Sequence, residues 1–184
     1  MHPKTYFSVL VVWTLLLGCR EPEARKPVSV ASGSFLKTSI ETSKQILQKD
    51  LAAIQSYISA LDSVEVFTSH YGFSYFYAVD RQVDTLLPKP GDEVHFTYSV
   101  QTLQNETIYD TTAIGSIRYV VDREKLFEGL REAIKLMKKG EVATFLFPSA
   151  LAYGSLGDKK RIAPNQPLVC SIYMLDHSPL ASTE

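Results

Sequence analysis

Histidine and cysteine, which bind transition metals and transfer protons, are few in this chain of 184 residues, with four and two copies. Its four histidines show no metal-ligand spacing: His2, His70, His95 and His177. We find no glycine-rich phosphate loop, and no serine, histidine and aspartate set beside a small-residue turn. The sequence therefore predicts neither a metal site nor a cofactor.

The two cysteines differ in their surroundings. Cys170 lies in an apolar run, which predicts a buried small hydrophobic residue without an internal disulfide partner. Cys19 follows a basic start and an apolar run over residues 6–17, the layout of a secretory signal. That run is shorter than the roughly 20 apolar residues that cross a bilayer.

The four residues Leu16-Leu17-Gly18-Cys19 resemble a bacterial lipobox. This resemblance implies cleavage of a signal peptide, residues 1–18, and lipidation of the Cys19 thiol, which would hold the mature chain on a membrane outside the cytoplasm. The alternative is an uncleaved membrane anchor. The formal net charge is −1, so nothing in the charge pattern favours a nucleic acid partner.

The region before the main domain divides into a tether and a helical arm. Residues 19–34 are charged, then rich in proline, serine and glycine, and predict a flexible tether. Residues 35–66 predict a helical arm with one narrow apolar stripe: Leu47, Leu51, Ile54, Ile58 and Leu61. Two structures fit this stripe. Either the helix docks on its own domain, or residues 35–61 of two copies pair to form a homodimer.

One helix followed directly by one strand organises the rest of the chain. We predict that the helix begins at Asp122 as N-cap and ends at Gly140 as C-cap. Its apolar face is Leu126, Leu130, Ala133, Ile134 and Met137. The opposite face is charged: Glu128, Arg131, Glu132, Lys135 and Lys138.

Strand patterns lie on both sides of this helix. Residues 67–87 hold an aromatic strand and a linker, and strict alternation predicts a strand through Val94, Phe96, Tyr98 and Val100. The run 142–147 predicts a strand, and 168–175, apolar on both faces, predicts a central one. This order indicates an α+β fold in which an antiparallel sheet curls around one central helix.

The sequence from 88 to 177 resembles the FKBP-type peptidyl-prolyl cis-trans isomerases. The matching pieces, in order, are PKPGDEVHFTYSV, IYDTT, LFEGLREAIKLMKKGEVATFLFPSALAYG and IAPNQPLVCSIYML. Residues 178–184 follow as a tail. The whole layout, with lipobox, arm and one domain, is similar to the gliding-motility-associated isomerase lipoproteins of Bacteroidetes. The resemblance implies a periplasm-facing envelope lipoprotein that binds proline-containing segments of exported proteins and assists their folding.

The activity that the resemblance implies needs no nucleophile. Rotation about an X–Pro bond crosses about 18–20 kcal/mol because amide resonance must be broken. The planar amide is the more charge-separated state, so an apolar pocket that excludes water favours the twisted state over it.

The family's functional residues transfer to ten positions of this sequence. The resemblance implies catalytic roles for Tyr98, Tyr109, Asp110, Phe127 and Tyr153. It implies that Ile117, Leu126, Leu130, Ile162 and Cys170 line the substrate pocket. In this transfer the Phe127 backbone N–H and the Tyr153 hydroxyl donate to substrate carbonyls. Asp110 is expected to be partly buried, ionised and hydrogen-bonded near Tyr98.

Three positions depart from the family pattern. Leu130 replaces a usual tryptophan at the pocket floor, and Ile117 and Cys170 each replace a phenylalanine. A wider, less aromatic pocket with low activity and weak macrolide binding is expected. Two functions of different class remain: a prolyl isomerase, or a weakly catalytic or non-catalytic binding module of an envelope assembly.

Overall fold

The computed structural model describes residues 32–80 and 86–180. The chain divides into two compact units, Met1–Thr38 and Ser39–Glu184, and the strands all belong to the second. Cys19, the lipobox-like residues 16–19 and the predicted tether up to residue 31 lie outside the described residues. None of the helices within the described ranges is long and apolar enough to span a membrane.

After the N-terminal helix, the elements follow the predicted order of strands, a central helix and strands, with one additional four-residue helix among the first strands. Helix α1 spans Ser32–Ser59, and the strands before the central helix are β1 Phe67–Thr68, β2 Ser74–Val79, β3 Glu93–Gln101, β4 Thr107–Tyr109 and β5 Ser116–Val120. Helix α2, Thr111–Ile114, separates β4 from β5. The central helix is α3, Glu128–Ile134, followed by β6 Val142–Phe147 and β7 Leu168–Ser178.

The strands of the described region form one antiparallel sheet in the order β1-β2-β6-β7-β3-β4, with β5 paired to β3. The central position predicted for the last strand is confirmed, since β7 pairs with both β6 and β3. The α+β class with an antiparallel sheet is also confirmed.

Both faces of the β6–β7 pair are covered. On one face, rings and branched side chains pack around α3: Phe96, Phe145, Phe147, Leu130, Ile134 and Ile172 are fully buried. On the other, Ile54 of α1 packs on Leu146 and Val169. Burial on two faces explains why these strands are apolar without alternation.

Close approach of α3 to the sheet requires a glycine at its start. A Cβ added at Gly129 would lie 2.5 Å from the Phe147 ring and 2.9 Å from the Leu151 carbonyl oxygen. No real Cβ tolerates such contacts, so Gly129 lets the helix pack directly against β6 and the segment that follows it.

The predicted ends of the central helix are wrong. Phe127, not Asp122, is the N-cap, and Lys135, not Gly140, is the C-cap. Asp122 has a φ of 60° and its carboxylate pairs with Lys135. Residues 136 and 137 bond three residues back, so the helix tightens after Ile134. Met137, which follows this tighter turn, is fully buried.

Glu132, predicted to lie on the exposed face, is buried. Its Oε1 accepts from Lys135 Nζ at 3.0 Å, which compensates for part of the desolvation.

Helix α1 docks through its second half. Ile54 is 3% exposed, with Tyr57, Ile58 and Leu103 packed around its contact with the sheet. Leu47 and Leu51 are 41% and 44% exposed, although they belong to the same predicted stripe. Docking on its own domain therefore accounts for only part of the stripe.

Candidate active site

A cleft of about 360 Å³ opens where β3, β4, α2 and the loop after β6 meet. Eight residues line it: Tyr98, Val100, Tyr109, Ala113, Ile114, Tyr153, Asp158 and Lys160. Three of these, Tyr98, Tyr109 and Tyr153, are among the site residues predicted from the sequence. The walls combine apolar side chains and tyrosine rings with polar hydroxyl, carboxylate and ammonium groups.

Contacts within the sheet position Tyr98. It lies in β3 opposite Ile172 of β7, with its ring 6.0 Å from that of Phe96. Tyr98 is 8% exposed, and this burial raises the pKa of its hydroxyl well above the ordinary value. The phenol is protonated at neutral pH, as an ordinary tyrosine is, and its hydroxyl can donate a hydrogen bond in the cleft.

Tyr153 is held by the loop and by α3. It follows the 3-10 turn Ser149–Leu151, and its ring centroid lies 5.3 Å from that of Phe127. Burial is the main cause that raises the pKa of the Tyr153 hydroxyl. Phe127 also contacts Phe147, with ring centroids 5.5 Å apart. Tyr153 therefore packs on Phe127, which in turn packs on the fully buried Phe147.

Phe127 lies at the end of α3 where backbone N–H groups are available as hydrogen-bond donors. Phe127 is the N-cap of α3 and has no side-chain capping bond. The first N–H groups of a helix have no partner within the helix, so N–H groups at this end can donate to a bound carbonyl.

Tyr109 and Asp158 form a polar pair at the rim. The Tyr109 hydroxyl donates to Asp158 Oδ2 at 2.5 Å, which raises the pKa of Tyr109. Asp158 Oδ1 accepts from the backbone N–H groups of residues 160, 161 and 162 at 2.8–2.9 Å. Desolvation would raise the pKa of Asp158, but these four hydrogen bonds lower it to about 2.

Arg161 closes this loop over β4. Its guanidinium carbon lies 5.4 Å from the centre of the Tyr109 ring, and its Nη1 donates to the Ile108 carbonyl at 3.0 Å. Ile162, at 3% exposed, is buried behind the loop in the main core. The loop over residues 158–162 is thus fixed to the strand that carries Tyr109.

Asp110 does not occupy the predicted environment. It is exposed and is the N-cap of α2, where its Oδ1 accepts from the Ala113 backbone N–H at 2.6 Å. The expected burial beside Tyr98 is therefore wrong. The residue follows the end of β4, so the chain turns it outward, and helix capping satisfies the carboxylate without a charged partner.

The other four predicted pocket residues belong to the core or pack against it. Ile117 and Leu126 are half-buried against the core, and Leu130 and Cys170 are fully buried within it. None of these four is among the residues that line the cleft. The expected gap at Leu130 and Cys170 is not part of the cleft, because core side chains close around both positions.

Sequence reasoning missed Asp158, Ile114 and Lys160. A signal for Asp158 exists: Gly157-Asp158 stands in a polar turn, where an aspartate commonly bonds the backbone that follows it. Ile114 could not be identified from the sequence, because its helix of four residues is too short to show a helical period. Within the described ranges, no group of three or more histidine, cysteine, aspartate or glutamate side chains could hold a metal ion.

Residues 85–175 match the family model of FKBP-type peptidyl-prolyl cis-trans isomerases. Two curated relatives are similar. A probable FKBP-type isomerase, FkpA, of Neisseria meningitidis is 27% identical over 99 residues, covering 54% of this chain and 36% of that protein. A probable FKBP-type isomerase of Haemophilus influenzae is 26% identical over 115 residues, covering 62% and 46%. The chain thus spans less than half the length of either relative.

Two crystal structures have a similar fold. A peptidyl-prolyl cis-trans isomerase of Pseudomonas syringae has a TM-score of 0.61 at 19% identity, covering 74% of this chain and 96% of that one. FkpA of Escherichia coli has a TM-score of 0.58 at 20% identity, covering 97% and 83%.

Proposed function

We propose that this chain, whose residues 85–175 match the family model of FKBP-type peptidyl-prolyl cis-trans isomerases, catalyses rotation about X–Pro bonds in protein segments. The cleft around Tyr98, Tyr109 and Tyr153 is the proposed site. The proposal rests on one observation above all: three tyrosines from separate elements meet at one cleft inside the matched region.

The proposed mechanism is desolvation with hydrogen bonding. A prolyl ring and its preceding amide enter the cleft and lose water, which destabilises the charge-separated planar amide relative to the twisted one. A tyrosine hydroxyl is protonated at neutral pH, and burial raises the pKa of Tyr98 and Tyr153 further, so each can donate to a substrate carbonyl. The N-terminal end of α3 at Phe127 offers a backbone donor beside them.

The experiment that tests this function is a protease-coupled assay on a Leu-Pro peptide. We expect Tyr153→Phe, which removes one hydroxyl and keeps the ring, to lower kcat/KM by roughly tenfold, the effect of about 1.4 kcal/mol of lost transition-state binding. A folded wild-type chain that leaves the isomerisation rate at its uncatalysed value would contradict the proposal.

A binding module is the second candidate. The observation that favours it is that Leu130 and Cys170, where the family resemblance implies aromatic rings, are buried in the core and do not line the cleft. This function predicts that proline peptides bind to the cleft, seen as shifts of the Tyr98 and Tyr153 NMR signals, while the peptide assay shows no acceleration.

We propose that the chain is anchored to a membrane through lipid on Cys19 and faces the periplasm of a bacterial envelope. The lipobox-like order of residues 16–19 supports this proposal. Cys19→Ser should move the protein from the membrane to the soluble fraction with an unchanged melting temperature. A folded Cys19→Ser variant that still sediments with membranes would overturn it.

We propose further that the protein assists folding of proline-containing exported proteins, within the gliding-motility-associated group. The order of lipobox, arm and one isomerase domain supports the group. Deletion of the gene in the source organism should reduce surface spreading, with the chain itself supplied in trans restoring it. Normal spreading would remove the link to gliding and leave the enzymatic proposal intact.

We propose that α1 pairs with α1 of a second copy. Ile40, Leu47 and Leu51 are exposed on one helix at spacings of seven and four residues, the spacing of a two-helix seam. An identical stripe on a second copy is self-complementary under two-fold symmetry. Leu47→Asp with Leu51→Asp should halve the mass seen by light scattering, whereas a monomeric wild type would contradict the pairing.

A further inference from the structure

A carboxylate from helix α1 is buried against the segment that leads to Tyr153. Asp50 is 3% exposed, and Ser149 is 1% exposed. Asp50 Oδ2 accepts two hydrogen bonds, from the Ser149 backbone N–H at 2.8 Å and from its hydroxyl at 2.5 Å. The two residues are 99 positions apart in sequence, so this contact joins the arm to the isomerase region.

Ser149 begins the 3-10 turn that ends beside the cleft. Its carbonyl accepts from the Ala152 backbone N–H at 3.1 Å, and Tyr153 is the next residue. On the far side, the Asn165 backbone N–H donates to the Gly154 carbonyl at 2.8 Å. Hydrogen bonds at Ser149 and at Gly154 therefore hold the chain on both sides of Tyr153, and Asp50 holds it at Ser149.

Packing alone does not explain an aspartate at position 50. Burying a carboxylate is costly unless hydrogen bonds replace its water. None of the ion pairs found in the described ranges involves Asp50. One turn later, Ile54 docks the same helix by apolar contact with Leu146 and Val169. An apolar residue at position 50 would dock the helix without the desolvation cost.

We propose that Asp50 is a positioning residue for the cleft: its two hydrogen bonds to Ser149 hold the short turn that aims Tyr153 at the substrate. The inference rests on the proposed isomerase function. It assigns to the arm a role in the geometry of the site, distinct from any role in dimer formation. Small displacements far from the reacting bond are enough to slow a reaction substantially.

The test compares two substitutions of Asp50 with a matched control in the same helix. Asp50→Ala removes both acceptors and should lower kcat/KM roughly tenfold through misplacement of Tyr153. Asp50→Asn keeps an oxygen for the same two donors at roughly half the strength, so most activity should return. Ile54→Ala loosens the same helix without touching Ser149, and it should lower the melting temperature with kcat/KM nearly unchanged.

A second readout makes the inference independent of turnover. The NMR signals of the Tyr153 ring and the Gly154 amide should shift in Asp50→Ala and stay in place in Ile54→Ala. If Asp50→Ala does not fold, Ser149→Ala removes one of the two donors and should give smaller effects of the same kind.

Two results would overturn the inference: equal kcat/KM in folded wild type and Asp50→Ala, or equal losses in Asp50→Ala and Ile54→Ala. A wild type without isomerase activity would contradict the proposed function instead. The Tyr153 and Gly154 signals then still decide whether Asp50 positions the turn.

Discussion

The hydroxyl of Tyr109 donates a 2.5 Å hydrogen bond to Asp158 Oδ2 and so joins β4 to the loop that closes the cleft. Asp158 also collects three backbone N–H groups of that loop on Oδ1. One carboxylate thus holds the loop in shape and attaches it to the sheet. This pair, and not the exposed Asp110, is the polar anchor of the site.

The pKa of Asp158 makes this anchor sensitive to acid. Because its pKa is lowered to about 2 in the folded chain from an ordinary 3.8, the ionised carboxylate stabilises the fold above about pH 4. The contribution is lost as pH falls toward 2. Asp158→Asn should therefore cost on the order of 1 kcal/mol at neutral pH, after allowing for solvent screening, and little near pH 2.

Urea unfolding of wild type and Asp158→Asn from pH 7 to pH 2 measures this. Tyr109→Phe is the matched control, since it removes one donor and leaves the three backbone bonds. It should give a smaller difference with the same pH dependence. A difference between wild type and Asp158→Asn that stays constant over the whole range would contradict the assignment.

Asp110 is predicted to act as a helix cap. Asp110→Ala removes the acceptor for the Ala113 N–H and should cost about 0.5–2 kcal/mol of stability. Asp110→Asn should keep nearly all of it, because asparagine caps a helix as well as aspartate does. Since α2 carries Ile114 of the cleft, activity should follow the same order. An Asp110→Asn variant as inactive as Asp110→Ala would show that the charge itself is required.

Leu130→Trp tests whether the cleft has an unfilled floor. Leu130 is fully buried in the core and does not line the cleft. An indole there should overpack the core and lower the free energy of unfolding by about 1–3 kcal/mol, without faster turnover. Thermal melts and kcat/KM of the folded fraction measure both effects. A stable, faster Leu130→Trp would instead support a gap beneath the cleft.

Much of the fold follows from local patterns. The alternation at Val94, Phe96, Tyr98 and Val100 predicts β3 because each of these side chains faces the core. The two-sided apolarity of β7 predicts its central position for a similar reason: α3 covers one face and α1 the other. These signals depend only on period and burial, which the sequence carries directly.

The ends of α3 and the details of the site could not be predicted in the same way. Asp122 has the right residue type for an N-cap, but tertiary contacts place it in a turn where it pairs with Lys135. The Asp50–Ser149 and Tyr109–Asp158 contacts join residues 99 and 49 positions apart. No local period reports such contacts, so only the folded chain reveals them.

The central claim is that the cleft isomerises X–Pro bonds by excluding water, and adding one charge inside it tests this most directly. Ile114→Asp places a carboxylate among the residues that line the cleft. Leu156→Asp places one outside the cleft lining, two residues before Asp158 in sequence, at a side chain that is 69% exposed. The account predicts that wild type and Leu156→Asp accelerate isomerisation of a Leu-Pro peptide equally, while folded Ile114→Asp is slower by roughly tenfold or more. Equal kcat/KM in all three, or no acceleration by folded wild type, would contradict it.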